Sequence, residues 1–138
     1  MLDACTQVAP TQVLAVTVLS SLDDGDSKKI FGASVREKVA YMAHIAYENH
    51  TAGIVCAPQD LQYLDKDTAT ESFIKITPNV LPAWARSQAD QSIERTMTPQ
   101  DALKAGAHYV VIGRSIVAAE YPLKAARHIL QDIEESRL

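Results

Sequence analysis

Four short apolar runs, each closed by a polar loop, constrain this chain more than any other feature of it. They are residues 13–19 (VLAVTVL), 53–56 (GIVC), 73–77 (FIKIT) and 109–112 (YVVI). Runs of this length that are rich in Val and Ile suit strands. The last, four apolar residues in a row, predicts a strand buried on both faces, as in a parallel sheet.

Helical signals lie between the runs. Residues 1–8 read as helical without a starting cap, as if cut from a longer helix. Ser34 followed by Glu37 is a capping box, and Val35, Val39, Met42 and Ala46 then recur at helical spacing until about Asn49 and His50. Residues 59–66 suit a short helix. Thr98 with Pro99 behind it opens another that Gly106 ends. From Pro122 a last helix carries Leu123, Ala126, Ile129, Leu130 and Ile133 on one face. Asp24-Gly25-Asp26-Ser27 reads as a continuation of the polar loop after the first run, and residues 79–96 as a long loop, a length that is usually functional. Strands that alternate with helices four times predict right-handed βαβ units and a parallel sheet, an α/β class fold in a single domain over 1–138.

The 138 residues are 47% hydrophobic and 22% charged, enough apolar content for a substantial core. A net charge of -4 without a cluster of Lys and Arg excludes a nucleic-acid footprint. No apolar run is long enough for a membrane span. Cys5 and Cys56 stand far apart in no motif, which points to a reducing, cytoplasmic setting, and both Cys56 and Met97 read as packing residues. His44, His50, His108 and His128 show no metal-ligand spacing, so no metal is expected.

Four βα units make either a small open sheet or half of an eight-stranded barrel, and the loops decide between them. Polar residues follow every strand: Ser20, Ser21 and Asp23, then Gln59, then the long loop, then Gly113-Arg114. In a (β/α)₈ barrel the site is built from such loops, and phosphate is commonly held after the last two strands. A glycine there lets the backbone approach a ligand closely, and an arginine offers a fork of donors to phosphate.

Read in series, Leu14-Ala15-Val16-Thr17-Val18-Leu19-Ser20-Ser21, Gly53-Ile54-Val55-Cys56-Ala57-Pro58-Gln59, Thr77-Pro78, Met97-Thr98-Pro99 and Val111-Ile112-Gly113-Arg114 resemble the fifth to eighth strands and loops of the orotidine 5′-monophosphate decarboxylase family. The resemblance implies the C-terminal half, strands 5 to 8, of a TIM (β/α)₈ barrel. It implies that Gly113 and Arg114 bind the substrate 5′-phosphate, and that Ser20 supplies a hydroxyl to the pyrimidine end. Gln91, of the pair Asp90-Gln91, is the implied second phosphate contact, with Gln88 as the fallback. The chain departs from the family at Asn79-Val80-Leu81-Pro82, where Gly-Ile-Arg-Pro is usual. Leu81 lacks a guanidinium's charge and donors, whereas Asn79 can copy a glycine's conformation.

The family's chemistry rests on an Asp-x-Lys-x-x-Asp array and needs no cofactor. The array is absent from these residues: Asp26-Ser27-Lys28-Lys29 has no acid at the final place, and Asp65-Lys66-Asp67 follows no strand. The implied activity is therefore the conversion of orotidine 5′-monophosphate to uridine monophosphate and carbon dioxide, with this chain holding the substrate and contributing no catalytic residue. Open edges on the first and last strands invite pairing, either with a missing N-terminal half or with a second copy as a homodimer. Alone, the chain is expected to be inactive. The alternatives are a non-catalytic phosphate- or nucleotide-binding half-barrel, and another phosphate-binding barrel acting on sugar phosphates.

Overall fold

The computed structural model describes residues 1–8, 11–64, 70–88 and 96–136. In chain order the elements are α1 (Leu2–Val8), β1 (Leu14–Val16), α2 (Asp24–Phe31), α3 (Val35–Glu48), β2 (Gly53–Val55) and a 3₁₀ turn (Pro58–Asp60) that runs into α4 (Leu61–Leu64). After these come β3 (Ile74–Thr77), a 3₁₀ segment (Ala83–Gln88), α5 (Pro99–Lys104), β4 (Tyr109–Val110), α6 (Arg114–Val117) and α7 (Pro122–Glu135). The four strands form one sheet in the order β1-β2-β3-β4, and every neighbouring pair is parallel. Each strand therefore adds to the edge left by the one before, as in a barrel wall.

Local chemistry sets most of the element ends. The Ser34 hydroxyl accepts from the Glu37 amide at 3.3 Å and the Ser34 amide donates to the Glu37 carboxylate at 2.9 Å, the reciprocal box that the sequence predicts. Donation by the Ser34 side chain first, then by its backbone, holds the Glu37 carboxyl below its usual range. Thr98 caps α5 through the Asp101 amide, with Pro99 behind it.

Residues 24–27 are helical, which corrects the reading of them as loop. Asp23 caps α2 by accepting from the Asp26 amide at 2.8 Å, and Gly32, at φ 72°, stops it. Asp24 then accepts from the Val35 amide at 2.8 Å, fixing α2 to the start of α3. Within the Asp26 to Lys29 stretch Lys28 and Lys29 are exposed, Ser27 is buried, and half-exposed Asp26 pairs with Lys29 at 4.0 Å.

Register sorts the sheet into two faces. Ala15, Ile54 and Cys56 point to the helices and join Val39, Ala43 and Ala46 of α3, Leu61 and Leu64 of α4 and Ala102 of α5 in one buried core. Met97 packs at its margin. The other face carries Val16, Val55, Ile76 and Tyr109 in one row across all four strands. No helix covers it. Tyr109 is 62% exposed and Val111 51%, which corrects the prediction that the last strand is buried on both faces. Only its helix side is covered, because β4 is an edge and the barrel-interior side of the sheet is open.

The final helix is likewise half partnered. Ile129 is buried, but Leu123 and Leu130 are 66% and 59% exposed. The apolar period is present, and the described residues supply no neighbour for that part of it.

Candidate functional site

A hollow of about 290 Å³ lies at the C-terminal end of the sheet, where the loops after β1, β3 and β4 converge. The loop after β1 contributes Ser20, the chain after β3 contributes Pro78, Asn79, Val80 and Leu81, and the end of β4 contributes Val111, Gly113, Arg114 and Ser115. Thr96 also lines the hollow. Three of the four residues predicted for the site, Ser20, Gly113 and Arg114, are therefore brought together. Gln91 and Asp90 lie outside the described residues.

Backbone geometry on the β3 side explains how that wall is held. Asn79 takes a left-handed conformation, φ 62°, the conformation expected of it as a replacement for glycine. The turn sets Val80 beside Met97 in an isolated parallel bridge, and the Leu81 amide donates to the Met97 carbonyl at 2.9 Å. Both ends of the long connection are thereby pinned at the mouth of the hollow. Leu81 sits in that wall and presents an aliphatic side chain there.

On the opposite wall, Gly113 is the residue before α6, whose first residue is Arg114. The Ile116 and Val117 amides both return to the Gly113 carbonyl, at 2.8 and 3.1 Å. The amides ahead of them stand at a helix start, where intrahelical acceptors are lacking and partial positive charge collects. A Cβ built on Gly113 meets nothing within 4 Å, so the chain's own packing does not demand glycine there. Space for a ligand against the backbone is a sufficient reason for it.

Arg114 is the only charged residue lining the hollow among the described residues, and Ser20, Asn79, Thr96 and Ser115 add neutral polar groups. One guanidinium and no carboxylate among the described lining residues give the hollow the chemistry to accept a single anionic group.

Gln59 goes elsewhere. It lines a separate, larger hollow of about 470 Å³ with Asp23, Asp24, Asp60 and Arg36, beside α3 and α4. Three carboxylates against one guanidinium would repel a phosphate, so size does not make that hollow the anion site. Among the described residues no group of three or more His, Cys, Asp or Glu is placed to hold a metal, and no helix is long and apolar enough to cross a membrane.

Sequence reasoning missed α6, the element that presents Arg114, because a four-residue helix leaves no periodic signal. It also missed Thr96 and Ser115, ordinary polar residues whose only distinction is their position at the mouth.

Comparison with known proteins follows the same outline. Residues 1–129 match the model of the orotidine 5′-phosphate decarboxylase / HUMPS family. An orotidine 5′-phosphate decarboxylase of Saccharophagus degradans is 38% identical over 133 residues, 96% of this chain and 54% of that protein. One from Moorella thermoacetica is 40% identical over 133 residues, 95% of this chain and 51% of the relative. The chain thus spans about half the length of the curated relatives it matches. The crystal structure of the Lactobacillus acidophilus decarboxylase superposes with a TM-score of 0.68 at 25% identity, covering 91% of this chain and 50% of that one. The Sulfolobus solfataricus enzyme shares the fold at a TM-score of 0.66, covering 99% of this chain and 55% of its own.

Proposed function

The chain belongs to the orotidine 5′-phosphate decarboxylase / HUMPS family, and from that premise we propose that it is the C-terminal half of an orotidine 5′-monophosphate decarboxylase, the half that holds the substrate. The observation that carries this reading is the hollow at the sheet's C-terminal end, with Arg114 as its one charge and Ser20 in the wall across from it. Arg114 binds the 5′-phosphate through its guanidinium, and the amides that begin at Gly113 bind the same oxygens. Ser20 hydrogen-bonds the pyrimidine end. Gln91 is assigned the second phosphate contact from the sequence resemblance alone.

At about 290 Å³ the hollow is at the bottom of the range for small-molecule sites. It suits a phosphate and part of a sugar, which is what half of a nucleotide site should hold. Binding energy at the remote phosphate accelerates a reaction only where reacting groups are present to use it. The lysine that protonates the carbanion left by carbon dioxide, and the carboxylates beside it, belong to the Asp-x-Lys-x-x-Asp array, which these 138 residues lack. The isolated chain therefore binds and does not turn over.

Its partner is the complementary N-terminal half, or a second copy closing the same sheet. Support comes from the uncovered row of Val16, Val55, Ile76 and Tyr109 and from β1 and β4 at the two ends of the sheet. We place the protein in the cytoplasm, where free thiols such as Cys5 and Cys56 persist.

The test mixes this chain with an N-terminal half carrying Asp-x-Lys-x-x-Asp and follows loss of orotidine 5′-monophosphate. Turnover should need both halves, and Tyr109→Glu, which charges the open face, should block it while leaving uridine monophosphate binding intact. A well-folded mixture that binds uridine monophosphate without turnover would instead mark a non-catalytic binding module.

A further inference from the structure

Outside the hollow, the described residues hold one parallel ring stack, and the site does not absorb it. The only tryptophan, Trp84, stacks on His128 of α7 with ring centroids 5.3 Å apart and planes within 5°. A shallow cleft of about 240 Å³ surrounds the pair, lined also by Ala119, Tyr121 and Lys124 of the α6–α7 junction. His128 Nε2 lies 3.5 Å from an Asp132 carboxylate oxygen one turn along α7. Nothing in the proposed chemistry uses either ring.

Their placement connects the two walls of the hollow. Trp84 follows Leu81 by three residues, through a tight turn in which the Ala85 amide donates to the Pro82 carbonyl at 2.9 Å and both residues are buried. His128 stands on α7, which packs against α6, and α6 begins at Arg114. The stack therefore ties the Leu81 wall to the helix pair that carries the guanidinium. Where the resemblance expects an arginine, Leu81 has no charge with which to hold a ligand; its backbone bond to Met97 pins the wall to the end of the long connection, and the stack joins it to α7 and through α7 to α6.

We infer that Trp84 and His128 are positioning residues for phosphate-ester binding: the offset, parallel ring stack sets the Leu81 wall at its distance from Arg114. The inference rests on the phosphate reading above. Stacked aromatic pairs hold at a strength that converts to about a three- to tenfold change in affinity.

The experiment titrates the full chain with uridine monophosphate, comparing Trp84→Ala, Trp84→Phe, His128→Ala and the Trp84→Ala/His128→Ala double variant, with Arg114→Ala as a control. Amide hydrogen exchange at Leu81 and Ala85 is measured alongside without ligand. Both single alanine variants should bind about three- to tenfold more weakly, the double variant no more weakly than either, and Trp84→Phe nearly as well as the unaltered chain. Exchange at Ala85 should quicken in both alanine variants under conditions where the chain remains folded. Additive losses, unchanged affinity, or unchanged exchange at Ala85 would overturn the inference, even if Arg114→Ala abolishes binding. If Arg114→Ala binds uridine monophosphate as the unaltered chain does, or neither binds it, the phosphate reading falls. Ala85 exchange then still decides whether the stack holds the wall.

Discussion

Replacing Arg114 with alanine should move stability and affinity in different directions, and that divergence separates a ligand-holding arginine from a structural one. Arg114 is exposed and is the first residue of α6. A cation at a helix start opposes the helix dipole, so its removal should leave stability unchanged or raise it by about 0.3 kcal/mol. Binding is another matter. Each hydrogen bond from a charged donor contributes about 1.5–3 kcal/mol, and a guanidinium places two on one phosphate. The hollow is open to solvent, so the lower figure applies. Two such bonds give about 3 kcal/mol, or roughly a 100-fold rise in the dissociation constant for uridine monophosphate. Arg114→Lys, which keeps the charge and loses the fork, should fall between the two. Calorimetric titration with uridine monophosphate gives the affinity, and urea unfolding without ligand gives the stability. A stability loss above about 1 kcal/mol, or an affinity within about threefold of the unaltered chain, would refute the assignment.

Two further outcomes follow from the packing. A Cβ at Gly53 would sit 2.0 Å from the Ile74 carbonyl oxygen and 2.7 Å from its carbonyl carbon and its nitrogen, so Gly53→Ala must part β2 from β3 and should cost about 3 kcal/mol or more in urea unfolding; a loss under about 1 kcal/mol would contradict that geometry. Burial, with a smaller contribution from Asp60 against an opposing one from Lys75, pushes the Cys56 thiol up to about 12, while Cys5 is exposed. A thiol reagent at pH 8 should therefore count one cysteine in the native chain and two in urea, and two in the native chain would show that Cys56 is not enclosed.

What the sequence made legible was local. Ser34 and Glu37 are three residues apart, and nothing distant is needed to decide whether they cap a helix. The same is true of Thr98 with Pro99, and of Asn79 standing in for glycine. The α2 signal was local too, in Asp23 as cap and Gly32 as stop, but Gly25 and the run of charges between them pointed to a loop. Burial of β4 was not local. A run of Tyr109, Val110, Val111 and Ile112 reports a preference for apolar surroundings, and whether both faces receive them depends on strands elsewhere. Leu123 and Leu130 repeat the lesson on α7, where the helical period is readable and the partner is not. At the site, motif order brought Ser20, Gly113 and Arg114 to one hollow, and it also suggested Gln59, which the turn after β2 directs into an acidic hollow unsuited to phosphate.

The exposed apolar row and the proposed anion site imply a division of labour. In a closed (β/α)₈ barrel, the side chains pointing inward pack in layers and the loops at one end make the site. Here Val16, Val55, Ile76 and Tyr109 are one side of such a layer, and none of the described residues lies opposite. Among the described residues, the hollow above them is walled by the loops after β1, β3 and β4. The anion handle needs only the strands that are present, because a helix start, a glycine and one arginine are contiguous in the chain. Chemistry at the pyrimidine needs groups fixed on the far side of the layer. Association that covers the row would bury several large apolar side chains, each contributing about 1.5–3 kcal/mol when fully enclosed. Under the proposed reading, the association that stabilises the sheet is the one that brings the complementary half's reacting groups over the hollow. Assembly and activity should then rise together with the concentration of the complementary half, and uridine monophosphate binding should precede both.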